Sequence, residues 1–518
     1  MTRRRDSSRR ELLASAGLGA GALALASCAR APRWTPGQQG RRLEGPIVVD
    51  VHCHTFNASD LPITGFIART IPGLSELSRS VTPVPEQVLR KVVGTIHGWL
   101  NAEAPSADAE LPLLRAALAN RQDAGQTIGP VPPLALPRAL LDRLGDQIAT
   151  MLGLDAGGFG DGFVRLAETL HLVGHARARI AASLALTYPS VALFTPLLVD
   201  YDAWSDDHAQ SPLAAQVPVQ ELISQLSIRG RIGRGDARFH PFIAFDPLRA
   251  GALAIVRDAV ERAGFIGVKL YPPVGFLPLG NAGVSPDAAR GQALDQALRA
   301  LYATCEAEEI PITAHASPGN EFALGYGELA APERWAPVLR EFPNLRLNFG
   351  HFGHETGVGS GAQGINDDVN DGVNGDVTDG VEARHAWMRQ AAELIEEHAH
   401  VYADLSSSPL IYDAAYASRF GAHLQALCAR FRRLPSRLMY GSDWWLNRFE
   451  PGAATAVAVF QRRLEDWLGP GGRDAVMGRN ALRFLGLLDQ DDRLALGNRN
   501  HQRLRAFYGA APLPAWLA

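Results

Sequence analysis

The sequence predicts an α/β protein built as a (β/α)8 TIM barrel, with a large helical insertion after strand 1 and a Gly/Asp-rich loop after strand 6. Three observations carry that prediction. Eight short apolar runs recur between Ile47 and Trp445. Most are separated by helix-like stretches such as "ALAIVRDAVERAG" and "ARGQALDQALRALYATCEAE", and alternation of strand and helix argues for a parallel sheet. A polar residue closes nearly every run, and in an eightfold barrel the C-terminal strand ends form the active face.

The first run, "IVVDVHCHTFN" (Ile47–Asn57), drives three branched residues into Asp50 and then into two histidines. Side chains alternate faces along a strand, so His52 and His54 share one face, while Val51 and Cys53 take the other. The two imidazoles stand roughly 7 Å apart at ~3.3 Å per residue, close enough to meet on one divalent metal. Two ordinary strand-end histidines would look the same, so the rest of the chain must decide. "VALFTPLLVDYD" (Val191–Asp202) ends at Asp200, and "RFHPFIAFDP" (Arg238–Pro247) ends at Asp246. "FIGVKLYPP" (Phe265–Pro273) carries Lys269, "IPITAHAS" (Ile310–Ser317) His315, and "LRLNFGHFGH" (Leu345–His354) His351. "VYADLSSSP" (Val401–Pro409) closes on Asp404, and "RLMYGSDWW" (Arg437–Trp445) on Asp443.

The 518 residues are 47% hydrophobic and 20% charged, with a net charge of −4. That is ordinary globular composition, and without a basic field no nucleic-acid partner is expected. Cys28, Cys53, Cys305 and Cys428 are too few and too scattered for a disulfide framework. Residues 1–28 read as a twin-arginine-type lipoprotein signal peptide: a basic start at Arg3–Arg10, a weakly apolar Ala/Gly/Leu run, and "LASC" ending at Cys28. The expected product is exported and lipid-anchored at the cell envelope through Cys28, on the periplasmic side or the outer membrane. Residues 29–45 read as a tether, 46–490 as the barrel and 491–518 as a C-terminal tail. Within the barrel, 58–190 read as a helical cap over the mouth. The Gly-, Asp- and Asn-rich stretch 356–382 reads as a flexible loop; its spacing does not fit a calcium-binding loop.

Taken in order, "DVHCH", "GVKLYPP", "ITAHAS", "LNFGHFG", "VYADLS", "YGSDWW" and "VMGRNALRFLGL" resemble the amidohydrolase superfamily. The branch they are most similar to is that of aminocarboxymuconate-semialdehyde decarboxylase and the muconolactone-type hydrolases. The resemblance spans about Ile47 to Leu488, apart from the two insertions. It implies a divalent metal, of the zinc type, held by His52, His54, His315 and Asp443, with Asp443 also moving the proton of the attacking water. It implies that Lys269 is either a free cation or, carbamylated, a bridge between two metals, as "KLYP" resembles the dihydroorotase form of that strand. With a bridge, His315 and His351 hold the second ion; without one, His351 is an acid, base or electrophile. One metal or two stays open.

Tyr271 and Trp444 are candidates to line a substrate pocket, as is Trp445, although core packing is an equal alternative. Asp404 either orients a ligand or caps the next helix, His354 is read as surface, and Cys53 as structural. The leading expectation is a hydrolase that turns a metal-activated water on an amide, ester or lactone. A metal-dependent non-oxidative decarboxylase uses the same ligands, and a lipid-anchored binding protein with an inactive barrel is a third alternative. The expected partners are a small-molecule substrate and the membrane, through the lipid; a homo-oligomer stays open.

Overall fold

The computed structural model describes residues 40–62, 103–120, 127–135, 138, 156–204, 208–317, 321–323, 325–353, 378–406, 409–412, 414–448 and 452–518. The signal peptide with Cys28, His354, part of the 58–190 insertion and residues 356–377 of the expected loop lie outside the described residues. Residues 378–382 already belong to the helix Thr378–Glu397.

The strands are β1 (Val49–Cys53), β2 (Leu193–Pro196), β3 (Arg238–Phe239), β4 (Phe242–Ala244), β5 (Gly267–Leu270), β6 (Ile312–His315), β7 (Leu347–Gly350), β8 (Val401–Asp404) and β9 (Leu438–Met439). Each falls inside one of the eight apolar runs, and β3 and β4 are two halves of the same run, parted at His240-Pro241. Proline has no N–H to give a ladder, and the break falls there. All pairings are parallel, in the orders β1-β2-β3 and β4-β5-β6-β7-β8-β9.

The ladder is not continuous around the ring, and isolated bonds span its two gaps. Between β2 and β4 there is a single parallel bridge, Leu197–Phe242. Between the last strand and the first, the Val51 amide donates to the Tyr440 carbonyl at 3.1 Å, and the Asp443 amide to the His52 carbonyl at 2.7 Å.

Helices cover the outer face. The helix Ala252–Arg262 buries Ala252, Val256, Ala259 and Val260, the i, i+4, i+7, i+8 stripe of an amphipathic helix. The helix Ala288–Ala307 is capped by Asp287 and buries Leu294, Leu298, Leu301 and Cys305. Next to the first strand, the fully buried Arg177 binds Asp60 at 2.5 Å and Glu110 at 2.6 Å, fastening the described part of the insertion.

The ends of the expected barrel domain differ from the tail and tether read in the sequence. Residues 491–518 hold the helix Arg499–Tyr508, and Leu504, Tyr508, Trp516 and Leu517 are buried. Leu43 is buried with them, and Arg42 bridges to Arg493. The reason is apolar area: four large side chains in a short segment gain roughly 1.5–3 kcal/mol each when covered.

Candidate metal centre

β1 carries a register irregularity that shapes the site. Asp50 pairs with Phe194 and Cys53 with Pro196, so Val51 and His52 together face only Thr195. An extra residue of this kind re-aims side chains near functional sites. Cys53 turns into the apolar core, while the rings of His52 and His54 lie 5.6 Å apart and edge-on. His54, His52 and Asp443 offer ligand atoms all within 4.8 Å of one another. His54 Nε2 lies 3.7 Å from Asp443 Oδ1.

Hydrogen bonds set which ring nitrogens are free. His54 Nδ1 sits 2.8 Å from the Leu197 carbonyl, which can only accept, so Nδ1 carries the proton and Nε2 keeps its lone pair. His52 Nδ1 lies 3.2 and 3.1 Å from the two Asp404 oxygens, which frees His52 Nε2 in the same way. This carboxylate–imidazole pairing is how metal-ligating histidines are oriented. Two free imidazole nitrogens and a carboxylate suit a divalent cation, and the buried His315 Nε2, which has no protein partner, is a further donor at this end of the barrel.

His52, His351 and Asp404 also lie within 4.8 Å of one another, but Asp404 is already saturated. Besides His52, it accepts from Asn348 Nδ2 at 2.6 Å and from the amides of His351 and Ser406, both at 3.1 Å. A carboxylate has about four lone-pair sites, so Asp404 orients rather than ligates. Burial opposes its ionisation, but His52, Ser406 and Asn348 outweigh burial and hold its carboxyl well below the usual range.

His351 is reached from two sides. Its Nδ1 lies 2.9 Å from Ser406 Oγ and its Nε2 3.1 Å from His315 Nδ1. Ser406 Oγ is also 3.1 Å from His52 Nδ1, so one hydroxyl joins the ends of β1 and β7. His351, Phe352 and Asp443 have positive φ of 73°, 52° and 39°; non-glycine residues are held there at about 1–3 kcal/mol each, typically at functional sites. Gly350 and Gly441 make the room, since a Cβ on Gly350 would stand 2.9 Å from His52 Cε1 and one on Gly441 2.6 Å from His52 Cβ.

Charge and burial compete here. Burial, reinforced by His52 and Lys269, pushes His54 well below its ordinary value, and burial does the same to His315 with Lys269 and His52. Burial raises the Asp443 carboxyl against the pull of His52 and Lys269, with Asp404 adding to the rise. Lys269 ends β5 inside the barrel; burial brings its ammonium down to about 8, with Asp404 and Asp443 opposing. Among the described residues it forms no ion pair with Asp246 or Asp404.

The aromatic candidates divide. Tyr271 is half-buried, with its ring 4.6 Å from that of His315. Trp444 is 1% exposed, and its indole N–H holds the His54 carbonyl at 2.6 Å; that places it behind the site, not on a pocket wall. Phe56, stacked on Trp445 at 5.1 Å and standing 5.5 Å from His54, has the open position instead. The sequence reading passed over Phe56, Ser406, Asn348 and Asp50. Period-two alternation was a usable signal for three of them, since Ser406 follows Asp404 by two, Phe56 follows His54 by two and Asp50 precedes His52 by two.

A parallel barrel with two imidazoles and a carboxylate converging at its mouth defines a metal-dependent enzyme. The family model described as amidohydrolase matches residues 185–487, more than half of the chain, and the chain belongs to that family. The match begins after β1, so His52 and His54 lie outside it. No curated protein matches the chain. Among solved structures, an amidohydrolase from Burkholderia multivorans with bound zinc is 14% identical over 61% of this chain and 91% of its own, with a TM-score of 0.39. Dihydroorotase from Campylobacter jejuni is 14% identical over 60% of this chain and 80% of its own, TM-score 0.33. 4-Oxalomesaconate hydratase from Rhodopseudomonas palustris is 13% identical over 85% and 95%, TM-score 0.34.

Proposed function

We propose that the chain hydrolyses an amide, ester or lactone, with one divalent metal, zinc or a close equivalent, held by His52, His54 and Asp443 and joined by His315. The observation that carries this is the tautomer arrangement: Leu197 and Asp404 occupy the Nδ1 atoms of the two histidines and leave both Nε2 lone pairs available, that of His54 3.7 Å from Asp443 Oδ1. A metal bound there supplies Lewis-acid polarisation of the scissile carbonyl and lowers the pKa of water. Asp443 takes the proton of the attacking water and delivers it to the leaving group, a task suited to a buried carboxylate with raised proton affinity. His351 stands beside it, 3.9 Å from Nδ1 to Asp443 Oδ2, and serves as the second acid–base group. Tyr271 and Phe56 wall the substrate side, with Trp445 stacked behind Phe56 and bonded to the His54 carbonyl. Lys269 is assigned as a free amine, because Asp404 is committed to donors, His315 is given to the first metal and His351 to acid–base work. Export through residues 1–28 and lipidation of Cys28 place this activity at the cell envelope; mass spectrometry of the mature protein checks both.

The experiment is turnover of a panel of lactones, esters, amides and aromatic acids by metal-loaded and chelator-treated protein, with metal analysis. Metal-dependent hydrolysis with close to one equivalent bound is the expected result. Release of CO2 from an aromatic acid, without hydrolysis of any other panel member, would replace the hydrolase with a decarboxylase. Two equivalents, dependent on bicarbonate and lost in Lys269→Ala, would restore the carbamylated bridge.

A further inference from the structure

The barrel ladder is broken at the seam between its last and first strands, and both metal-ligating segments border that seam. His52 and His54 come from β1, and Asp443 follows β9. At the irregularity in β1, the His52 carbonyl turns to the Asp443 amide at 2.7 Å. The His52 amide donates instead to the Oδ1 of Asp50, two residues earlier on its own strand, at 3.2 Å. The same Oδ1 accepts the Ser442 amide at 2.9 Å. Between the two backbone bonds that cross the seam, from the Val51 amide to Tyr440 and from the Asp443 amide to His52, one carboxylate oxygen thus adds a side-chain tie between the residue before Asp443 and His52. Gly441 permits the approach, because a Cβ there would stand 2.6 Å from His52 Cβ and 2.9 Å from Ser406 Cβ. Asp50 is completely buried, and a buried carboxylate is costly to keep unless its hydrogen bonds are needed.

We propose that Asp50 is a positioning residue for the metal centre: its Oδ1 sets the distance between the H-x-H pair and Asp443 by holding the amides of His52 and Ser442 together. Asp443 sits at positive φ, so without the clasp its loop relaxes and the carboxylate leaves the shared ligand position. The inference rests on the metal-centre reading above.

The test uses the full exported protein loaded with Co²⁺, whose visible d–d spectrum reports ligand geometry without requiring turnover. Asp50→Ala is expected to change the band shape and to lower metal affinity and kcat by about 10- to 100-fold, the range for groups that hold ligands. Asp50→Asn keeps an oxygen acceptor at the same place and is expected to restore the spectrum and most of the turnover. Asp50→Glu keeps the charge but moves the acceptor, so it should resemble Asp50→Ala; it also decides the matter if the alanine variant does not fold. An unchanged Co²⁺ spectrum in Asp50→Ala or Asp50→Glu overturns the inference, and so does an Asp50→Asn as defective as alanine. Failure of the wild type to bind Co²⁺ overturns the metal centre itself, and the clasp with it.

Discussion

The two ends of this barrel are held by opposite physics. At the C-terminal strand ends, His52, His54, His315, His351, Asp404 and Asp443 are all largely buried among one another, with three residues at positive φ. At the N-terminal strand ends, the last segment of the chain lies over the barrel and buries Leu504, Tyr508, Trp516 and Leu517. Its polar atoms meet backbone there: Asn500 Nδ2 donates to the Ile266 and Leu485 carbonyls, each at 2.9 Å. His240 at that end is structural, since its Nδ1 meets the Gly264 carbonyl at 3.1 Å and its Nε2 the Tyr508 hydroxyl at 3.3 Å; His501, buried in the same segment, has neither ring nitrogen paired. Histidines at one end converge with carboxylates on a shared position, and among the described residues those at the other end do not. Neither residue type nor unspent hydrogen-bonding capacity marks a site alone; the convergence of several such groups does.

If that contrast holds, substitutions at the two ends should separate activity from stability. The largest effect is expected for Asp443→Ala, which removes a ligand and the proton carrier together: turnover should fall about 10²- to 10⁴-fold. Thermal unfolding of the metal-free protein should change little. An Asp443→Ala protein that keeps full turnover and bound metal would remove Asp443 from the centre.

At the opposite end the expected effect is on stability alone. Burial brings His240 down to about 4, with Arg238 adding to the fall and the Gly264 hydrogen bond opposing it. The unfolded chain protonates near 6.5 and therefore binds more protons between those values. Stability is then full above pH 6.5 and is lost as pH falls toward 4, by about 3 kcal/mol. Denaturant unfolding at pH 7 and pH 4.5 measures the loss. His240→Asn keeps a donor to Gly264 without the titration, and should remove its own share of about 3 kcal/mol, leaving the slope carried by His54, His315 and His501 and the bound metal unchanged. The same pH slope in the variant would show that other groups carry it.

Between these lies Asp404→Asn. The amide has one acceptor oxygen where the carboxylate has two, and places a donor against His52, Asn348 or the two amides. Metal affinity should drop about 10- to 100-fold, read by competition with a chelator. Full affinity in the variant would mean that the His52 tautomer does not need this carboxylate.

The sequence carried the strand order because each run combines branched apolar residues with a polar terminus, a pattern that depends on local spacing. It also carried the strand-end candidates, since the barrel alone sends those positions to one face. What stayed illegible depends on contacts between distant segments. Trp444 looks like a pocket aromatic in "SDWW" until its indole is seen on the His54 carbonyl. Residues 491–518 look like a tail because their apolar side chains are spaced too widely to advertise a core. The β1 irregularity is invisible in "DVHCH", because it arises from what β2 and the Asp443 loop require of it.

The smallest effect should come from Ser406→Ala, and it tests the finest part of the contrast. Ser406 Oγ lies between His52 Nδ1, at 3.1 Å, and His351 Nδ1, at 2.9 Å. With His315 Nε2 given to the metal, the His315 proton is on Nδ1, which donates to His351 Nε2 at 3.1 Å. That places the His351 proton on Nδ1, which donates to Ser406 Oγ at 2.9 Å. Alanine removes this acceptor and loosens the hold on the His351 tautomer, while His52 keeps Asp404 and the metal keeps its ligands. A neutral hydrogen bond is worth about 0.5–1.5 kcal/mol net, so kcat should fall by roughly 2- to 12-fold, with metal content unchanged. Because the altered group is an acid–base histidine, the pH profile of kcat should move as well, which a packing defect alone would not do. Loss of metal from Ser406→Ala would mean that the hydroxyl holds His52 rather than His351. An unaltered kcat and pH profile would mean that the His351 tautomer is set from the His315 side.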